Sequence, residues 1–446
     1  MEGSLFGTLV FALTMFVAGL AGLLAPARRH LQLGGSSAPA AETARQAAPR
    51  RPSPASRLLG GAAAAASVAL LIALHPSCFL ARKLRPASAD SLSAMVHGAV
   101  APLFASGRVV GVAVGVFDRA GMHVVGFGRA RADRPGSPDG DTVFEIGSIT
   151  KVFTTLLLAR LVERGTVRLD EPVEELLPVS VAVPSFQGRK ITLEDLATQR
   201  SGLPRLPPNM GFTFSALLPP FYDPYAGFDT ARLYAGLSAV RLRRAPGEQF
   251  EYSNFGVGLL GHALERAAGQ SYDELVRREV LTPLGLRHTG VGITSEMSDR
   301  VAPGHVVCGV PGLPLRIAVR AHPWNGGALT GAGSLHSSVH DLLGFAAAQL
   351  HRSPSALAAA MDSTQRPRWP TDERSHTGLG RSQIGLGWII ARPRADRPSI
   401  VWHNGGTGGY RSFLGIAPER GTAVVILANS TADLDAAGFR LLHSVR

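Results

Sequence analysis

The sequence predicts an α+β protein in which one antiparallel sheet lies beside a lobe of helices. The first observation is that strand-like apolar segments occur near both ends of the folded region, at residues 109–118, 122–129, 400–403, 410–417 and 422–428. The second is that segments with the apolar spacing of helices fill the region between them. Strands separated by a long helical region are typical of α+β folds. We therefore expect both ends of this region to share one sheet, with a functional site in the groove between sheet and lobe.

The chain begins with two long uncharged segments, at residues 3–27 and 58–81. Each is long enough to cross a bilayer whose hydrocarbon core is about 30 Å thick. Residues 28–57 between them are rich in Ala, Pro, Ser and Arg, which is typical of a flexible linker. We therefore assign residues 1–88 to a membrane-anchoring region and residues 89–446 to the folded domain. A later start codon would leave the second segment as a lone anchor or signal, and this alternative stays open.

The basic residues around these segments predict an orientation in the membrane. The arginines of the linker place it in the cytoplasm by the positive-inside rule, so the folded domain would lie outside the cytoplasm. Arg82, Lys83 and Arg85, directly after the second segment, argue for the opposite orientation. The predicted location is the cell membrane, with the folded domain extracytoplasmic.

Composition argues against several classes of function. The net charge of +12 is shared between the amino-terminal region and a large domain in which acidic residues are interleaved, so we expect no nucleic-acid partner. Cys78 lies at the end of an uncharged segment and Cys308 lies in the folded domain, so we do not expect them to pair or to form a disulfide scaffold. His336 and His340 have helical spacing but lack the glutamate of a zinc-protease helix, so we expect no metal and no other cofactor.

The elements of the folded region follow in order from the same patterns. Tight turns at residues 119–121 and 418–421 would join two pairs of strands as hairpins. The apolar spacing predicts helices at residues 90–106, 149–164, 193–198, 230–237, 256–268, 272–280, 339–350 and from 432 onward.

One lysine is the most informative residue for function. Arginine supplies nearly all the basic residues, and the only lysines are Lys83, Lys151 and Lys190. A lysine retained against such a bias indicates chemistry that arginine cannot perform, because a buried amine can become a neutral base. Lys151 lies three residues after Ser148, on the same helical face, which is the pattern of a serine nucleophile with a lysine base.

The context of this pattern distinguishes it from an exposed lysine near an ordinary N-cap serine, which is the alternative interpretation. Apolar residues cover most of the circumference of the predicted helix at 149–164, so the helix should be buried. The lysine would then not be simply solvated. The helix N-terminus also provides a positive potential at Ser148, which favours an alkoxide and a later oxyanion.

Two further segments offer the remaining parts of such a site. Tyr252-Ser253-Asn254 supplies a tyrosine hydroxyl that can shuttle a proton, although a loop with an N-cap asparagine would look the same. Residues 402–410 are dense in glycine, which leaves backbone N–H groups free to point at an oxyanion, although a glycine-rich turn is the simpler interpretation. The three segments in this order are unexpected by chance.

Together the segments resemble the class C β-lactamases and the related low-molecular-weight penicillin-binding proteins, carboxypeptidases and esterases. The matching motifs are Ser148-x-x-Lys151, Tyr252-Ser253-Asn254 and His403-Asn404-Gly405, where that family often has Lys-Thr-Gly. The resemblance covers residues 90–446 and excludes the membrane segments. It implies a β-lactamase/transpeptidase-like fold and a serine hydrolase that acts through an acyl-enzyme on a D-amino-acid peptide, a β-lactam or an ester.

The resemblance also implies roles for individual residues. Ser148 would be the nucleophile, with Lys151 and Tyr252 handling the protons. Asn254 would orient the substrate and Lys151. Substrate would further contact the third motif and the residue after it, namely His403, Asn404, Gly405 and Gly406, and the N–H groups of Ser148 and Gly406 would form the oxyanion hole.

The third motif departs from the family pattern in a way that affects substrate choice. His403 and Asn404 stand where the family has the Lys-Thr pair that holds a substrate carboxylate. Histidine is mostly neutral near pH 7 unless its pKa is shifted, so the departure argues against efficient β-lactam hydrolysis and favours the esterase and peptidase relatives. Two alternatives stay open: a penicillin-binding receptor that acylates but deacylates slowly, and a catalytically degenerate membrane scaffold.

Overall fold

The computed structural model describes residues 79–80, 91–131, 135–210, 223–309, 316–374, 381–391 and 398–445. Its strands, in chain order, are β1 (Phe79–Leu80), β2 (Gly111–Asp118), β3 (Gly121–Gly128), β4 (Phe144–Glu145), β5 (His305–Gly309), β6 (Arg316–Arg320), β7 (His336–Ser337), β8 (Trp369–Arg374), β9 (Arg381–Ile384), β10 (Ile389–Ala391), β11 (Ile400–Gly406), β12 (Arg411–Ala417) and β13 (Thr422–Ala428).

The helices of the described residues mostly lie between the two groups of strands. They are α1 (Ser91–Ala105), α2 (Thr150–Glu163), α3 (Leu193–Ala197), α4 (Thr230–Ala239), α5 (Asn254–Ala268), α6 (Tyr272–Val276), α7 (Ser295–Ser298), α8 (Val339–Gln349), α9 (Ala358–Gln365) and α10 (Asp435–Ser444). Short 3₁₀ turns at Gly147–Ile149, Val173–Leu176 and Gly327–Ala332 and a π-turn at Arg277–Leu281 complete them.

The main sheet is antiparallel and has the strand order β3-β2-β13-β12-β11-β10-β9-β8. Strand β2 pairs with β13, so the first and last parts of the folded domain lie side by side, as predicted. Two smaller sheets accompany it, one of order β1-β6-β5 and one that joins β4 to β7. The second of these anchors the start of the helical lobe, because β4 directly precedes α2.

The main sheet separates two hydrophobic cores, because successive side chains of a strand point to opposite faces. Along β13, Val425 and Leu427 join the core formed with the helical lobe, on what we call the inner face. Val424 and Ile426 join the core beneath α1 and α10, on the outer face. Helix α2 is buried along most of its length within the inner core, which confirms the buried helix expected after Ser148.

The structure extends the predicted elements in several places. Strands β8, β9 and β10 widen the sheet beyond the predicted strands, and α9 is an additional helix. None of these four elements has a long periodic pattern of apolar residues, which is the signal that the sequence prediction used. The helix predicted at 272–280 is α-helical only over Tyr272–Val276 and continues as the π-turn Arg277–Leu281. The strand predicted at 400–403 extends to Gly406.

The predicted membrane segments receive no support from the structure. The segment at 3–27, the linker, most of the segment at 58–81 and the boundary at residue 88 lie outside the described residues. The last part of the second segment, Phe79–Leu80, is a strand paired with β6, so that end of the uncharged segment is not helical. Among the described helices, none has the length and apolar character needed to span a bilayer.

Candidate active site

Ser148 lies in the 3₁₀ turn that connects β4 to α2, on the floor of the groove between lobe and sheet. Gly147 precedes it with φ of +51°, a left-handed conformation that favours glycine. The end of β11 also approaches this turn closely, since a Cβ atom on Gly147 would lie 2.6 Å from the Gly406 nitrogen. The turn and the strand are therefore packed backbone to backbone at the serine.

Lys151 is fully buried one turn into the same helical segment. Its Nζ lies 2.9 Å from the Ser148 Oγ and donates a hydrogen bond of 2.6 Å to the Ala332 carbonyl oxygen. Burial, and secondarily the positive charge of Arg205, hold the pKa of the Lys151 amine well below its ordinary value of 10.5. The structure thus brings a base that favours its neutral form into contact with the serine hydroxyl.

Tyr252 reaches Ser148 from the loop before α5. Its hydroxyl donates a hydrogen bond of 2.8 Å to the Ser148 Oγ, and its ring centroid lies 5.0 Å from the Lys151 Nζ. The next residue, Ser253, is the N-cap of α5 and accepts a hydrogen bond from the Gly256 N–H, which fixes where the helix begins. The side chains of Lys151 and Tyr252 therefore both lie within hydrogen-bond distance of the Ser148 Oγ.

A residue to which the sequence reasoning assigned no role supports this loop. Gln199 accepts a hydrogen bond of 2.7 Å from the Ser253 N–H through its Oε1 and one of 2.7 Å from the Glu251 N–H through its backbone oxygen. Its φ of +59° is unusual for a residue other than glycine. A strained backbone at Gln199 thus positions the tyrosine motif, and no local sequence pattern signals it.

Asn254 lines the groove but makes a different contact from the one expected. Its Nδ2 donates a hydrogen bond of 3.2 Å to the Tyr225 hydroxyl, while its buried Oδ1 has no hydrogen-bond partner among the described residues. The structure therefore shows no bond from Asn254 to Lys151, and its orienting role stays a prediction. An unpaired buried amide oxygen can accept a hydrogen bond from an N–H of a substrate.

His403 lies on β11 with its side chain on the inner face. It is buried, its ring centroid lies 6.3 Å from that of Tyr252, and its Nδ1 donates a hydrogen bond to the Asn404 carbonyl oxygen. Burial, followed by the charge of Lys151, lowers the pKa of His403 to about 3. The imidazole is therefore neutral at physiological pH and supplies no cation to the site.

The side chain of Asn404 makes a contact on the outer face of the sheet, and its role in substrate binding stays a prediction. Successive residues of a strand face opposite sides, so Asn404 points to the outer face when His403 points to the inner one. Its Nδ2 donates a hydrogen bond of 2.7 Å to the Asp435 Oδ2 at the start of α10. Burial raises the pKa of that carboxyl group to about 6, and the Asn404 bond opposes the increase. Asn404 thus ties β11 to α10.

The two glycines after it allow β11 to approach the nucleophile. A Cβ atom on Gly405 would lie 2.0 Å from the Ile146 carbonyl oxygen, and the Ser412 hydroxyl of the neighbouring strand donates a hydrogen bond to that same oxygen. Gly406 follows beside Gly147. The backbone of Gly406 therefore lies beside the nucleophile turn, and its role in an oxyanion hole stays a prediction.

A groove open to solvent lies above these residues. Much of its wall is formed by residues that the sequence did not single out, including Tyr225, Trp324, Gly326, Leu329 and Ala332. Tyr225 and Trp324 pack edge to face at 5.6 Å between ring centroids, which gives the groove an aromatic side. Neither residue belongs to a periodic segment or a motif, so no sequence pattern indicated them.

A buried acid lies next to the nucleophile turn. Glu145, three residues before Ser148, accepts a hydrogen bond from the Trp324 N–H through its Oε1. Its Oε2 makes no hydrogen bond of regular geometry with a described residue, but the Thr407 hydroxyl lies close enough to oppose the rise in the pKa of the carboxyl group. Burial raises the pKa of Glu145 to about 7, and the nearby Asp223 carboxylate adds to the increase.

A family model described as Beta-lactamase matches residues 93–445. The chain belongs to the β-lactamase family. The match includes every site residue discussed above and excludes the predicted membrane region. Membership confirms the resemblance inferred from the three motifs and makes the chain a member of a family of serine hydrolases.

Individual relatives agree with this assignment. The chain is 28% identical over 332 residues to the D-alanyl-D-alanine-carboxypeptidase/endopeptidase AmpH of Escherichia coli, covering 73% of this chain and 80% of the relative. It is 26% identical over 365 residues to a β-lactamase of Pseudomonas fluorescens, covering 76% and 94% of the two chains. The structure of a β-lactamase/D-alanine carboxypeptidase from Yersinia pestis in complex with citrate superimposes with a TM-score of 0.64 at 26% identity, covering 78% of this chain and 97% of that one.

Proposed function

We propose that the chain is a serine hydrolase that forms an acyl-enzyme on Ser148, with amides or esters of D-amino-acid peptides as its substrates. The observation that carries the proposal is the meeting of Lys151 and Tyr252 at the Ser148 Oγ, at 2.9 and 2.8 Å. These distances are within hydrogen-bond reach, which a base must have before its pKa matters.

The mechanism follows from these contacts. The Ser148 Oγ attacks the substrate carbonyl carbon while its proton passes to the neutral amine of Lys151. The resulting oxyanion is held by the N–H groups of Ser148 and Gly406. Collapse expels the leaving group, which takes a proton from the Lys151–Tyr252 pair, and water then hydrolyses the ester on Ser148 with the same two groups moving the protons.

The substrate class is supported by the relatives and by His403. Relatives matched over most of the chain are named as a D-alanyl-D-alanine-carboxypeptidase/endopeptidase and as a β-lactamase. Because His403 is buried and neutral, this site lacks the cation that the third motif supplies in the family pattern. We therefore propose peptides and esters as the main substrates and β-lactams as slow acylating agents.

Intact mass against time tests this proposal. The protein is mixed separately with a penicillin, an activated acyl ester and an acyl-D-alanyl-D-alanine peptide. We expect an adduct with the ester and the penicillin that is absent in Ser148→Ala and present in the control Ser298→Ala, whose hydroxyl lies on the surface helix α7. Turnover that persists in Ser148→Ala would refute the mechanism, and an adduct that never deacylates would indicate the receptor-like alternative.

We further propose that the protein is anchored in the cell membrane with this domain outside the cytoplasm. The uncharged residues 3–27 and 58–78 and the arginine-rich linker support it. Protease treatment of intact and lysed cells tests it. Digestion of the hydrolase domain only after lysis would contradict the proposed orientation.

A further inference from the structure

An arginine outside the three motifs stacks on the tyrosine of the site. Arg205 follows the Ser201–Pro204 segment, and its guanidinium carbon lies 5.0 Å from the ring centroid of Tyr252. Its backbone oxygen accepts hydrogen bonds from the N–H groups of Asn254 and Phe255, at 3.0 and 3.3 Å. The backbone of Arg205 is therefore fixed to the start of α5, and its side chain stacks on the tyrosine that contacts the nucleophile.

The guanidinium of Arg205 remains available for a ligand. The residue is exposed, and its side chain has no hydrogen bond or ion pair with any described residue. Other arginines nearby are already engaged: Arg411 donates to the carbonyl oxygens of Thr407 and Tyr410, and Arg200 donates to that of Gly247. A guanidinium held in place but unpaired has donors that match a carboxylate bidentately.

The charge of Arg205 acts on the catalytic groups. After burial, it is the second cause that lowers the pKa of Lys151. Burial raises the pKa of Tyr225, and the charge of Arg205 opposes that increase. Among the described residues around Ser148, Lys151 is buried and favours the neutral amine, and His403 is a neutral imidazole. Arg205, by contrast, is an exposed cation in contact with the Tyr252 ring.

We propose that Arg205 binds a carboxylate of the substrate and so replaces the cation missing from the third motif. The proposal rests on the proposed acyl transfer at Ser148 and adds the charge of the substrate. One extended residue spans about 3.3–3.6 Å, so a carboxylate one residue beyond the scissile bond comes within reach of a group stacked on Tyr252. The site would then favour anionic substrates, such as peptides with a free carboxyl terminus, over neutral or cationic ones.

A pair of esters that differ only in charge tests this recognition. The phenylacetylglycyl esters of 3-hydroxybenzoic acid and 3-hydroxybenzamide have the same acyl group, and their leaving groups differ by one carboxylate. We compare kcat/KM for the two esters with the full-length wild-type protein and with Arg205→Gln, and read out the ratio of the anionic to the neutral ester. Because Arg205 also affects Lys151, the individual rates can change, but the ratio isolates recognition of the carboxylate.

We expect the wild type to prefer the anionic ester, and Arg205→Gln to reduce that ratio by about 10- to 100-fold, the usual effect of losing one charge-assisted hydrogen-bonded pair. Arg205→Lys keeps the charge but loses the bidentate donors, so it should reduce the ratio by less than Arg205→Gln does. Arg243→Gln removes the same charge from an exposed arginine that contacts neither Tyr252 nor Lys151 in the described structure, and it should keep the wild-type ratio.

The outcomes separate this proposal from the proposed function. Hydrolysis of both esters with a ratio that Arg205→Gln does not change would overturn the role of Arg205 and leave the hydrolase intact. A loss in Arg205→Lys as large as that in Arg205→Gln would overturn recognition by charge. Hydrolysis of neither ester, with Ser148 unlabelled, would refute the hydrolase and this proposal with it.

Discussion

Replacing Glu145 by glutamine should change how the stability of the protein depends on pH. The free energy of unfolding of Glu145→Gln minus that of the wild type should be larger above pH 7 than in acid. The pKa of this buried carboxyl group rises from an ordinary value of 4.5 to about 7. Between these two values the folded state binds more protons than the unfolded state, so stability falls as the pH rises. Each pKa unit corresponds to about 1.36 kcal/mol, so ionising Glu145 in the fold costs about 3 kcal/mol.

The measurement is urea unfolding of both proteins between pH 4 and 8.5. Glutamine keeps an oxygen for the Trp324 N–H and cannot ionise, and the other titrating groups are shared and cancel in the difference. We expect the free energy of unfolding of the wild type to decline against that of Glu145→Gln from about pH 4.5 to 7 and then to level off. A difference that stays constant over this range would refute the reasoning, because it would show that Glu145 titrates equally in both states.

Three further predictions concern the groups around the serine. Gly405→Ala places a methyl group 2.0 Å from a backbone oxygen and should destabilise the fold by about 1–3 kcal/mol, whereas Gly292→Ala, in open space, should not; thermal unfolding checks both. Asn404→Ala leaves the Asp435 carboxylate without its amide partner and should cost about 1–3 kcal/mol in urea unfolding, with the preference between the two esters retained. Acylation should increase with pH as Lys151 loses its proton and reach its plateau well below pH 10.5, and a rate still rising at that pH would contradict a neutral amine.

The nucleophile and its base were predictable because their relation is local. A residue and its neighbour three positions on share a helical face, so Ser148 and Lys151 had to be adjacent once the helix was recognised. The approach of Tyr252 required the tertiary structure, and the family resemblance supplied what spacing could not. The strands β2, β3, β12 and β13 were predictable for a similar reason, since each has a continuous apolar pattern.

The remaining parts were not predictable for identifiable reasons. The third motif was treated as one unit, but alternation along a strand sends His403 and Asn404 to opposite faces. The oxygen that accepts the hydrogen bond from Lys151 belongs to the backbone of Ala332, where the side chain carries no signal. Gln199 and Tyr225 act through contacts between loops distant in sequence, and no periodicity or motif reports such contacts.

The pairing of β2 with β13 has a consequence for the timing of synthesis. The Val110 N–H donates a hydrogen bond to the Ser430 hydroxyl, 320 positions later in the chain. Ribosomes add about 5–20 residues per second, so β13 is synthesised roughly 15–60 s after β2. Because β11 and its glycines are also made late, a nascent chain that lacks its last segment has the serine and the lysine but no complete sheet behind them. Exposed strand edges in such a chain are prone to aggregation, so we expect this protein to depend on chaperones or on transport in an unfolded state until its last strand has been made.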